Sequence, residues 1–229
     1  MKLSTSGVFR LSGLSAIAAG ILFVVVQLIH PIDVLASVTT DSWPLVHLVS
    51  FGMCFAGLLG LAGLYARQAD EAGWLGLIGY LLFSLFYLVT ASFQFVEALI
   101  SPVLAAVSPE FVESFLGIVT GHGGAIQLDT LTTVYQVTGG LYLLGSLLFG
   151  IATVRARVLP RWAAILLAAS GPLAAIVTTV FSHPIDRLAA LPMGLALAGL
   201  GAALLLERRA GARQALAAKP GTTVRPAGA

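Results

Sequence analysis

Six side chains able to do acid–base or metal chemistry sit at the ends of long apolar runs: His30 with Asp33, His183 with Asp186, His47 and Glu97. Imidazole and carboxylate are ligands for zinc, copper and iron, and they are the usual general acids and bases. The two pairs share one tetrapeptide, His-Pro-Ile-Asp, at 30–33 and 183–186. That tetrapeptide also has a purely local reading, a turn in which the Asp orients the preceding ring. His47, which follows Pro44 by three residues, likewise reads as an interfacial side chain. No stretch has the spacing of a tight ligand motif, such as two histidines four apart around a glutamate, so no metal or cofactor is assigned. His30, His183 and His47 are the residues that would ligate one. For acid–base work the candidates are Glu97 as acid and His30 or His183 as base.

Glu97 belongs to a longer pattern. Tyr80, Ser84, Tyr87, Thr90, Gln94, Glu97 and Ser101 follow one another at steps of four and three through an otherwise apolar stretch. On an α-helix those steps return to one face, so a polar stripe runs down a greasy rod. An ionisable residue inside a membrane segment is a functional-site hypothesis by default. Gln136 and Tyr142 echo the stripe in a later run, and Gln27 adds to it from the first. Together with Asp33 and Asp186, the residues Tyr80, Tyr87, Gln94, Gln27, Gln136 and Tyr142 make the expected ligand-contacting set of a partly wet pocket. The competing reading has the hydroxyls bonding back to their own helices and the tyrosines joining helices together.

The elements that must position these groups are membrane spans. Of 229 residues, 58% are hydrophobic and 10% charged, against about 25% charged in a soluble domain; mean hydropathy is +0.98. A span needs about 20 apolar residues. Six stretches qualify, at 11–29, 43–66, 74–100, 131–154, 162–182 and 188–206. The expectation is an all-α polytopic membrane protein of six transmembrane helices, one domain over 1–207, with a disordered cytoplasmic tail over 208–229. The first run is longer than a signal-peptide core and reads as a retained span, although Val34-Leu35-Ala36 resembles a cleavage site. The single Cys54 allows no internal disulfide.

Charge predicts the orientation. Eleven of the twelve basic residues fall on one side of these spans with three acids, while Arg187, seven acids and all four histidines fall on the other. The net charge of +2 therefore divides into +8 and −6. By the positive-inside rule the basic side, with both termini, is cytoplasmic. Basic loops beside a bilayer suit anionic lipid headgroups, so membrane lipids are the expected partners and nucleic acid is not.

The chain also repeats itself. From Val49 to Arg67, five of nineteen positions match the fourth span and six match the sixth. Gly52 and Gly57 correspond to Gly140 and Gly145, and to Gly194 and Gly199, each pair followed by a basic residue at the same offset. Three parallel helical-hairpin repeats, at about 10–67, 74–155 and 160–209, are predicted. The paired glycines predict close helix contact. Pro31, Pro102 and Pro184 read as helix stops, and Pro172 as a kink. Between spans three and four, Ser108 reads as an N-cap and Pro109 as a first helical residue. They open a short amphipathic helix that leads into a Gly121-His-Gly-Gly124 hinge, a lid over the outer mouth or a surface-packed loop.

Two stretches, Gly63-Leu-Tyr-Ala-Arg-Gln68 with Gly73-Trp-Leu-Gly76, and 149–164 (FGIATVRARVLPRWAA), resemble a broad set of uncharacterised bacterial polytopic membrane proteins. The resemblance implies a bacterial cytoplasmic-membrane protein and no particular activity. The leading expectation is a binding or transport protein for a small lipophilic ligand held near Glu97, Gln94 and Tyr87. The alternatives are a membrane-embedded enzyme acting on a lipid or isoprenoid through Glu97 and His30 or His183, a haem or metal protein, and a scaffold subunit.

Overall fold

A computed structural model describes residues 5–181 and 185–217. Among the described residues all regular structure is helical: α1 (Thr5–Ile29), α2 (Leu35–Val38), α3 (Ser42–Phe95), a π-helical turn (Val96–Ile100), α4 (Ser101–Val107), α5 (Pro109–Thr120), α6 (Asp129–Ala156), α7 (Arg161–Val180), a 3₁₀ turn (Ile185–Ala189) and α8 (Ala190–Ala217). Five helices are long and apolar enough to cross a membrane. One of these is the 66-residue course Ser42–Val107, far longer than the ~20 residues a bilayer requires.

That course folds back on itself. Gln68 (φ −130°, ψ 16°) and Gly73 (φ 56°, ψ −155°) leave helical geometry. The Gly73 backbone lies in a region essentially reserved for residues without a Cβ. The two arms then run antiparallel: Tyr65 stacks on Tyr80 with ring centroids 4.7 Å apart, Gly57 lies against the Tyr87 ring, and Phe51 meets Phe95 at 6.4 Å. The turn is tied to α6 by a buried hydrogen bond in which Gln68 Nε2 donates to Thr153 Oγ1 at 2.8 Å. The two resembling loop motifs thus meet in space through Gln68 and Thr153.

The long rods close into a ring. α1 packs on the first arm of α3, the second arm on α6, α6 on α7, α7 on α8, and α8 back on α1. Small residues make each approach possible in an environment where lipid gives helices no hydrophobic reason to associate. Gly60 faces the Ala16 backbone, Gly79 the Phe149 backbone, Gly150 the Ala168 backbone, Gly199 the Trp162 ring, and Gly201 the Gly13 carbonyl. Of the six glycines expected to mark close contact, Gly57, Gly145, Gly194 and Gly199 do so, but Gly52 and Gly140 face open space. Leu28, Phe55, Leu81, Ile165 and Leu195 are exposed on the outside, the apolar exterior that suits hydrocarbon rather than water.

One proline differs from expectation. Pro31 follows the end of α1, but Pro102 does not stop its helix: it sits in the first turn of α4, which runs on to Val107. Pro172 lies inside α7, and Pro184 is outside the described residues. α8 stays helical to Ala217, past the expected start of the tail at 208; its Glu, Arg, Ala and Gln residues are good helix formers. Ser108 occupies the N-cap of α5 without a side-chain cap bond. Its carbonyl takes the amides of Phe111 and Val112 instead.

The Gly73 turn gives a direct test. Gly73→Val forces a branched side chain into that backbone region and is expected to destabilise the protein by about 1–3 kcal/mol. Gly52→Ala, facing open space, is expected to stay within about 0.5 kcal/mol of the parent. Thermal unfolding of both variants in one detergent reads the difference; equal midpoints would show that the turn does not rely on its glycine.

Candidate functional site

The site is built around the place where α3 gives way to α4. In a π-helical turn each amide donates to the carbonyl five residues earlier, and Ser101 N–H does reach the Val96 carbonyl. The next bond in that ladder would run from residue 102 to the Glu97 carbonyl, but residue 102 is Pro and has no N–H. The Trp43 indole fills the place: Nε1 donates to the Glu97 carbonyl at 3.0 Å. Trp43 is fully buried. With Val38, Val112 and Leu116 it forms a small second core, separate from the main one, that joins α2, α4 and α5 to the bundle.

Trp43 also carries the histidines. His47 stacks on it at 4.4 Å, and His30 approaches His47 edge-on at 4.9 Å. The His47 Nδ1 is 2.9 Å from the Trp43 carbonyl, and the His30 Nδ1 is 2.8 Å from the Pro31 carbonyl. A carbonyl only accepts, so each Nδ1 carries the hydrogen. In its neutral form each ring keeps Nε2 as an acceptor. Asp33 Oδ1 lies 4.0 Å from His30 Nδ1. Among the described residues no group of three or more His, Cys, Asp or Glu is placed to hold a metal ion.

Beneath this cluster lies a cavity of about 630 Å³ in the half of the bundle that carries the acidic residues. Its floor is aromatic: Phe86 and Tyr142 are 4.9 Å apart, and Phe23 and Tyr142 6.4 Å. A collar forms nearer the mouth, where Phe93 meets Phe115 at 6.2 Å and Tyr135 at 5.9 Å. Helix α5 crosses this end, turning Phe115, Ile118 and Val119 into the cavity and Val112 and Leu116 onto the Trp43 core. In the glycine stretch after it only Gly124 meets a neighbour, the Ser114 side chain, while Gly121 and Gly123 have nothing within 4 Å. Gly121 caps α5 in the left-handed conformation (φ 73°), and Gly117 lies against the His122 carbonyl. Ile126 N–H donates to Ser114 Oγ at 3.0 Å.

Of the residues expected to contact a ligand, Gln27, His30, Asp33, His47, Gln94, Glu97 and Tyr142 line the cavity. Tyr80, Tyr87 and Gln136 do not. Tyr80 is stacked on Tyr65 at the far end, and the fully buried Tyr87 ring is packed against Phe83 and Gly57 beyond the floor. Gln136 is exposed, because the cavity face of α6 is Tyr135, Thr138, Gly139 and Tyr142. His183 and the Asp186 side chain lie outside the described residues.

Sequence reasoning missed the aromatic collar, the open Gly139–Gly140 wall and Arg187. Arg187 lines the cavity and clamps the end of α1. Its Nη1 donates to the carbonyls of Gln27 (3.3 Å) and His30 (2.7 Å), and its Nη2 to that of Pro31 (2.9 Å). The one signal in sequence was its isolation, a lone arginine on the acidic side.

The polar stripe differs from the other hydroxyls of the bundle. Ser50, Thr138, Thr153, Ser170 and Thr178 bond back to their own helices. Along the stripe, Ser84 Oγ, Tyr87 OH, Thr90 Oγ1, Gln94 Oε1 and Glu97 Oε2 are buried with no partner. Each such atom left alone costs about 1–3 kcal/mol, so five rival the whole ~5–15 kcal/mol stability of a typical protein. Three of them, Thr90 Oγ1, Gln94 Oε1 and Glu97 Oε2, belong to residues that line the cavity.

Comparison with protein-family models, curated proteins and solved structures finds no match.

Trp43→Phe keeps a ring under His47 but removes the indole donor to the Glu97 carbonyl. The expected cost is about 1–3 kcal/mol, read as a lower unfolding midpoint and as faster proteolysis of the α5 region. An unchanged midpoint and cleavage pattern would show that the indole bond is dispensable.

Proposed function

We propose that this protein binds or transports a small lipophilic molecule in the 630 Å³ cavity. The observation that carries the reading is the pairing of an aromatic floor with unpartnered polar atoms at Thr90, Gln94 and Glu97 along one wall. The volume lies within the range of about 300–1,000 Å³ usual for small-molecule sites, where mostly apolar walls bear a few placed polar groups.

The setting we propose is a bacterial cytoplasmic membrane crossed six times, the two arms of α3 each making one crossing. Arg10, Arg67, Arg155, Arg157 and Arg161 lie at the end of the bundle opposite Asp33, Glu97 and Asp129, which favours cytoplasmic termini and an outward-facing mouth. The ring order of the rods, with α1 and α3, α3 and α6, and α7 and α8 as successive neighbours, is the arrangement three hairpin repeats would produce. The bacterial assignment rests on the resembling loop motifs.

A second reading, a membrane-embedded enzyme acting on a lipid or isoprenoid, draws on the Nε2 acceptors of His30 and His47 beside Glu97. Either would serve as base and Glu97 as acid. On that reading Glu97→Gln abolishes turnover while folding persists, and turnover at the parental rate in Glu97→Gln rules it out.

Gly140 gives the binding test, since a side chain there meets nothing within 4 Å and enters the cavity wall. Native mass spectrometry of protein extracted in mild detergent is expected to show a retained lipophilic molecule in the parent. In a folded Gly140→Leu variant it should be reduced at least about tenfold, the loss of ~1.4 kcal/mol of binding. A reproducible apo mass for the parent would overturn a tightly held ligand.

A further inference from the structure

We infer that the cavity's ligand is a lipophilic amine, bound as its ammonium ion at Glu97 and Gln94 with its apolar part on the aromatic floor; this rests on the reading of the cavity as a binding site. Glu97 is 94% buried (6% relative exposure) and lines the cavity, with Oε2 unpartnered. A buried carboxylate persists when a cation or several hydrogen-bond donors face it. The Ser101 and Trp43 side chains donate toward the Glu97 carboxyl, but Oε2 is left without a partner. Gln94 Oε1 and the His30 and His47 Nε2 atoms are acceptors, and Asp33 adds a second carboxylate. Thr90 has one hydroxyl, a turn deeper.

Arg187 is the one Lys or Arg in the lining. Its guanidinium is committed to the Gln27, His30 and Pro31 carbonyls, the negative end of the α1 dipole, so its charge is spent on the helix terminus. Among the described lining residues, the formal balance with neutral imidazoles is two carboxylates against one guanidinium. An ammonium ion brings this wall a positive charge and N–H donors for the unpartnered Glu97 Oε2 and Gln94 Oε1. The collar rings of Phe93, Tyr135 and Phe115 line the same cavity, and aromatic faces attract cations. A carboxylate ligand would face Glu97 and Asp33, and an alcohol would bring a donor without charge.

Three probes of one shape separate these cases: 4-phenylbutylamine, 4-phenylbutan-1-ol and 4-phenylbutyrate. Each is titrated calorimetrically into the full chain in zwitterionic-lipid nanodiscs, with empty nanodiscs subtracted. The expected result is that the amine binds at least about tenfold more tightly than either competitor. In Glu97→Gln that preference should collapse, while the alcohol's affinity holds within about twofold. Because Trp43 donates to the Glu97 carbonyl, its emission in a Trp74→Phe/Trp162→Phe background should shift with the amine at the same midpoint. Amine and alcohol binding equally would overturn the amine inference and leave a lipophilic-ligand site standing. Preference for the carboxylate would overturn it in favour of Arg187 as the recognising group. If none of the three binds to folded protein, both the amine inference and the small-molecule reading of the cavity fall. Should Glu97→Gln fail to fold, the parent's ranking of the three probes decides alone.

Discussion

One hydrogen bond sets the half of this molecule that holds the cavity: the Trp43 indole on the Glu97 carbonyl. It exists because Pro102 cannot close the π-helical turn that precedes it. An ordinary α-helical course through 96–102 would move the missing donor to the Ala98 carbonyl and would turn the residues beyond Gln94 to different directions. As built, the widened turn holds Glu97 in the cavity lining, and the donor that completes it is also the platform for His47 and the centre of the small core under α5. The acid, the histidines and the covering helix are therefore positioned by a single ring.

The rest of the ring of helices is an exercise in close approach. Glycine against backbone appears at most of the interfaces, from Gly13 and Gly201 to Gly79 and Phe149, and it is this contact that lets rods without a hydrophobic drive pack at all. Where the approach is relaxed, at Gly139 and Gly140, the wall opens into the cavity. The same residue type thus does two opposite jobs, and only its neighbours decide which.

Helical periodicity is local, so the stripe from Tyr80 to Ser101 was legible, and with it Thr90, Gln94 and Glu97 as one wall of a site. Depth was not. At 1.5 Å per residue Tyr80 lies about 25 Å from Glu97, and the cavity occupies only one half of the bundle; Tyr80 and Tyr87 belong to the stripe but to the packed half. Gln136 failed by angle rather than depth, lying about 100° around α6 from Tyr135, where the inward face runs. Pro102 failed as a helix stop because a residue far away in sequence, Trp43, takes over its missing donor role.

By composition and order alone, the sequence determined an all-helical chain of long apolar rods, acids and bases sorted to opposite ends, and one rod bearing a polar stripe with a carboxylate on it. Each follows from properties of single residues or of neighbours within a few turns. Tertiary structure decided what the stripe faces: which half encloses a cavity, that Phe93, Phe115 and Tyr135 form its collar, and that Arg187 is spent on the end of α1. Those facts join residues from 22 to 160 positions apart. Contacts at that range are set by how the rods pack, to which the local pattern of the chain is blind.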